Sequence, residues 1–106
     1  MELEDICKIL ELTKPVKASS KNPLKIGEKY FIRTVTHYYT GRLKEIVGQW
    51  LVMEESTWIA DTGRFHDFLK EGKCNEYESF IEEVQIPIGS IVDVTKWTHS
   101  LFKGQK

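Results

Sequence analysis

The run Tyr30-Phe31-Ile32-Arg33-Thr34-Val35-Thr36-His37-Tyr38-Tyr39-Thr40-Gly41-Arg42-Leu43 constrains the fold more than any other part of this 106-residue sequence. Aromatic and β-branched side chains suit a pleated, half-buried surface and lose rotamer freedom in a helix. The run therefore predicts strand, and Gly41 predicts a bulge or bend within it. Leu43, Ile46 and Val47 continue the pattern. Val47-Gly48-Gln49 predicts a turn, and Trp50-Leu51-Val52-Met53-Glu54 the next strand. Ser56 to Ala60 either extends that strand or starts another.

The flanks differ in texture. Leu3, Ile6, Cys7 and Leu10 fall at i, i+3, i+4 and i+7, which predicts an amphipathic helix over residues 1–13. Pro15 disfavours helical geometry at Lys14 and ends it. Residues 14–24, rich in Lys, Ser and Pro, predict an extended tether. A short helix is expected after the third strand, capped by Asp61 or Thr62, with Phe65, Phe68 and Leu69 on its apolar side and Gly72 as its stop. Tyr77–Ile81, Val84–Ile88 and Ile91–Val94 predict three further short strands, with Pro87 at an edge or strand end. Residues 99–106 are polar and predict a flexible tail.

The expected fold is thus mainly β, or α+β: an N-terminal helix, then one small five-stranded barrel over residues 25–98 with a short inserted helix. A sheet this short must curl to bury its apolar face. The pattern resembles SH3-like and Sm-like barrels in its leading helix, its glycine at position 41 and its Ile88-Gly89-Ser90 step. Sm-like chains form rings by strand pairing between subunits, so the resemblance implies a homo-oligomer and removes exposed edges.

Charge narrows the possible partners. Fifteen Lys and Arg stand against 16 Asp and Glu, which excludes a uniformly basic nucleic-acid packager. The charge is nevertheless segregated. Residues 14–44 carry eight basic side chains against Glu28, giving +7, and residues 45–83 carry three against ten acids, giving −7. Such blocks either offer a basic surface to an anionic ligand or face each other within the fold or across a subunit interface. No apolar run is long enough to span a membrane. The start Met1-Glu2-Leu3-Glu4-Asp5 is acidic, unlike a signal peptide. Cys7 and Cys74 suit a reduced, cytoplasmic compartment and lack zinc-site spacing.

The chemical motifs are sparse. Asp61-Thr62-Gly63 matches the triplet that carries the carboxylate of dimeric aspartic proteases, where two carboxylates share a proton. Arg64 follows it where a small residue is usual, and a helix pattern begins at once. A cap and turn explain it better. His37, His66 and His99 have no metal-ligand spacing, and the expectation is a non-enzymatic chain without a cofactor or metal. A binding constellation is easier to build. Arg33, Arg42 and Arg64 provide forks for phosphate, His37, Tyr39 and Trp58 provide faces for a base, and Asp61 and Thr62 orient their neighbours. Alternation along one continuous strand would put Arg33, Val35, His37 and Tyr39 on one face. The plain alternative is an aromatic-rich core.

Four strings resemble a family of small, uncharacterised proteins encoded by tailed bacteriophages and prophages. They are the run from Tyr30 to Leu43, Trp58-Ile59-Ala60-Asp61-Thr62-Gly63-Arg64-Phe65, Asn75-Glu76-Tyr77-Glu78, and Gly89-Ser90-Ile91-Val92-Asp93 with Trp97 and His99. The resemblance covers residues 28–106 and implies a source, the cytoplasm of an infected bacterium, rather than a mechanism. Counter-defence is the role it suggests, through a nucleotide-type ligand or a host defence protein. Single-stranded RNA binding by an Sm-like ring and a virion-assembly role are the alternatives.

Overall fold

A computed structural model describes residues 23–106. The expected N-terminal helix and most of the tether lie outside the described residues. Six strands and one helix follow: β1 (Lys29–Thr34), β2 (Tyr38–Val47), β3 (Trp50–Asp61), α1 (Phe65–Glu71), β4 (Glu76–Ser79), β5 (Val84–Pro87) and β6 (Ile91–Lys96). All pairings are antiparallel, in the order β4-β3-β2-β1-β6. β3 is long enough to serve two partners along one edge: Trp50–Met53 pairs with β5, and Thr57–Asp61 with β4.

The aromatic run is two strands rather than one. Thr34 turns the chain by closing on His37: its hydroxyl donates to the His37 carbonyl (2.8 Å) and accepts from the His37 amide (2.9 Å). A threonine side chain thus does the work usually signalled by Gly or Pro. The register sets Ile32 opposite Tyr39 and Arg33 opposite Tyr38. Opposed residues share a face, so the alternation expected of a single strand is corrected: Arg33 lies on the opposite face from His37 and Tyr39.

Gly41 is at a bulge, as its position suggests. Thr40 pairs with Thr57 and Arg42 with Glu54, so Gly41 alone faces Glu55 and Ser56. Two residues opposing one bend the strand. A Cβ on Gly41 would lie 3.2 Å from Ser56 Cα and Cβ. Glu55 takes the left-handed conformation (φ 49°) at the same point, which turns one β3 half relative to the other.

Each face of the sheet buries its own cluster. Tyr30, Ile32, Leu43, Leu51, Met53 and Ile86 form one, on the concave side. Leu51 of β3 and Val94 of β6, three strands apart in the sheet order, line one depression with Tyr30, so the sheet is strongly coiled. Phe31, Ile59, Phe68, Cys74 and Trp97 form the second, beneath α1 and the C-terminal segment. Phe68 meets Phe31 at 4.9 Å and Trp97 at 4.8 Å between ring centroids.

The helix ends as the sequence indicates. Gly72 takes φ 72° and its amide donates to the Phe68 carbonyl. Its start differs: the N-cap position is Arg64, with no side-chain hydrogen bond. The Asp61 carboxylate accepts instead from the Gly63 amide (2.8 Å), tightening the turn before the helix. The C-terminal segment also departs from expectation. Tyr77 and Lys106 exchange both backbone hydrogen bonds, and the Ser79 amide donates to the Gly104 carbonyl. Phe102 packs against Tyr77 and Trp97. Three apolar side chains in residues 97–102 provide the anchor that a count of polar residues overlooks.

Candidate functional site

The bend at Thr34–His37 and the β2–β3–β4 register build one aromatic surface. Tyr39 opposes Trp58, and Trp58 opposes Glu78. These three share a face across three strands. His37 precedes Tyr39 by two residues and Phe80 follows Glu78 by two. Tyr39 lies between His37 and Phe80, with centroid separations of 6.2 and 6.0 Å and interplanar angles of 29° and 32°. Trp58 lies 6.1 Å from His37. Together these rings form a shelf, His37 stacked beside Tyr39 and Phe80 tilted against it, with Trp58 at its side at 57° to His37.

Two open clefts meet at this shelf. One, of about 420 Å³, is lined by His37, Tyr39, Trp58, Glu78, Ser79 and Phe80. The other, of about 610 Å³, runs round the β1–β2 turn and adds Arg33, Thr36, Tyr38 and Val92 to His37 and Trp58. Thr36 Oγ1 lies 2.7 Å from His37 Nδ1 and fixes the imidazole at the junction.

Arg33 reaches the larger cleft from the opposite face, already engaged. Its Nε donates to Asp93 Oδ1 (2.8 Å) and its Nη2 to Oδ2, a bidentate pair. The guanidinium also packs over Phe65 at 5.2 Å and Tyr38 at 6.0 Å. The hydrogen bonds from Arg33 hold the Asp93 carboxyl below the usual carboxylate range, and Asp93 in turn raises the guanidinium further. A phosphate at Arg33 would compete with a preformed carboxylate partner.

The structure therefore divides the eight residues that the sequence offers. Arg33, His37, Tyr39 and Trp58 gather at the two clefts. Arg42 lines neither; it donates to the Gly27 carbonyl at 2.9 Å. Asp61 ends β3 and Thr62 follows it in the β3–α1 turn, where Thr62 Oγ1 donates to the Gly63 carbonyl and Asp61 also faces Asn75 Nδ2 at 3.5 Å. Arg64 is the N-cap residue of α1 and lines neither cleft.

Glu78 and Phe80 complete the shelf and are absent from the sequence constellation. The alternation in Glu76-Tyr77-Glu78-Ser79-Phe80 puts them on one face, but only the β3–β4 register shows which face. The opposed charge blocks meet in part: Lys44 pairs with Glu83, and Lys44 is raised by that contact. Among the described residues, no cluster of His, Cys, Asp and Glu could hold a metal ion, and no helix is long and apolar enough to cross a membrane.

Fold and site together define a mainly-β chain with a surface aromatic cleft. No family model matches it, and neither does any curated protein or solved structure.

Proposed function

We propose that this chain is a non-enzymatic binding module whose aromatic shelf stacks on a nucleobase-type ligand, as a counter-defence factor of phage origin in an infected bacterial cytoplasm. The shelf is the observation that carries the reading: His37, Tyr39, Phe80 and Trp58 line one open cleft, with His37 and Tyr39 stacked. Each base stacked on an aromatic ring contributes about 1–3 kcal/mol. Flat rings at a sheet surface serve a mononucleotide and single-stranded RNA alike; an affinity that rises with oligonucleotide length favours RNA.

The fold reading extends to a small barrel of the SH3-like or Sm-like kind. It is supported by the bulge at Gly41, the two partners of β3 and the short 3-10 turn Ile88–Ser90 between β5 and β6. β5 and β6 each pair with one strand among the described residues, which leaves edges suited to a homo-oligomer.

Calorimetric titration with nucleoside monophosphates tests the stacking. Trp58→Ala and Tyr39→Ala each weaken binding by about 1–3 kcal/mol, a loss of about 5- to 150-fold, with unchanged circular dichroism. Unchanged affinity in both variants refutes it. A second reading, direct capture of a host protein, is favoured by Val35 and Ile81, exposed at 77% and 96%. A chain that works in that way keeps its target in the Trp58→Ala variant.

A further inference from the structure

The smaller cleft contains a feature that stacking alone does not need. Glu78 is exposed within an otherwise aromatic lining, directly across the ladder from Trp58. Its carboxylate makes no hydrogen bond or ion pair among the described residues. Ser79 also lines the cleft, but its hydroxyl is shared with Thr57 (2.9 Å) and the Phe102 carbonyl. Glu78 therefore offers a ligand the one carboxylate that lines this cleft, with both oxygens open.

We infer that Glu78 makes this cleft selective for guanine, a refinement that rests on the stacking reading above. A carboxylate only accepts hydrogen bonds, and it accepts two side by side. Guanine presents two adjacent donors on its Watson–Crick edge, N1–H and the N2 amino group. Adenine and cytosine each place a ring-nitrogen lone pair beside their amino group, which repels a carboxylate. Uracil has a single N–H between two carbonyl oxygens. The charge around the shelf agrees with this choice: Glu78 is unpaired and Arg33 is taken by Asp93, so recognition falls on the base rather than on phosphate.

The test is calorimetric titration of GMP, IMP and AMP, which share a phosphate and differ at the base edge. GMP binds about tenfold more tightly than AMP, and IMP, which keeps N1–H but lacks the amino group, falls between. Glu78→Gln offers one acceptor and one donor, which matches adenine's amino group and N1. The variant therefore loses the preference for GMP or reverses it. Equal affinities in the parent, or a preference for GMP that survives Glu78→Gln, overturn the guanine assignment and leave stacking intact. Binding of no nucleotide at millimolar concentration overturns both.

Discussion

Thr40 is fully buried on the face beneath the C-terminal segment, and its Oγ1 has no hydrogen-bond partner. Its neighbours across the ladder are better served: Ser56 Oγ donates to the Thr40 carbonyl, and Thr57 Oγ1 lies 3.1 Å from the Phe102 carbonyl. An unpaired buried hydroxyl costs free energy that an apolar group of the same shape does not. Thr40→Val therefore stabilises the chain by about 1 kcal/mol, read as a higher urea midpoint at unchanged slope. Individual residues were also where sequence reasoning reached the site most directly. His37 and Tyr39 stand out because the consecutive His37-Tyr38-Tyr39 cannot all enter one face of a core. Arg42 and Arg64 stand out for their charge alone, and charge carries no information about distance. Nothing local in the sequence marks Arg42 for the Gly27 carbonyl, whereas the helix pattern that follows Asp61-Thr62-Gly63 does place Arg64 at the start of α1.

Elements were legible where backbone chemistry is local. Gly72 stops α1 because its φ of 72° suits glycine, and a Cβ there would lie 2.5 Å from the His99 ring. Gly48 makes the β2–β3 turn at φ 58°. Pro87 ends β5. The β1–β2 turn escaped because it is made by the Thr34 side chain within a run of strand formers. Missing it also inverted the face assigned to Arg33, since a turn resets the alternation. In the sheet, Arg33 joins β1 to β6 through Asp93. That link is sensitive to pH. Asp93 lies below its ordinary value of 3.8 because Arg33 donates to it. A carboxyl held low contributes stability above the ordinary value and loses it as pH falls through its own lower value. Asp93→Asn is accordingly less stable than the parent at neutral pH, and the gap closes below about pH 3.8. Urea unfolding of both chains from neutral to acid pH checks this; a gap independent of pH contradicts it. Both side chains are partly exposed, so salt reduces the gap as well.

At the scale of the whole molecule, the sheet organises two opposite surfaces. One is closed by α1 and the C-terminal segment over Phe31, Ile59 and Trp97. The other carries the concave cluster and, at its β2–β3–β4 end, the aromatic shelf. This division follows from long-range register, which single-sequence periodicity does not contain. The mainly-β class, the inserted helix and most strand positions are local properties, and they were readable. The pairing of β4 with both β3 and the C-terminal segment joins residues far apart in the chain, and it decides that Glu78 and Phe80 enter the cleft. The most direct measurement is a two-dimensional amide NMR titration of the full chain with GMP. Shifts concentrated on His37, Tyr39, Trp58, Glu78 and Phe80 are the predicted result. Shifts centred on Arg42 and Arg64 instead, or none at millimolar ligand, would contradict the assignment of the shelf as the binding site.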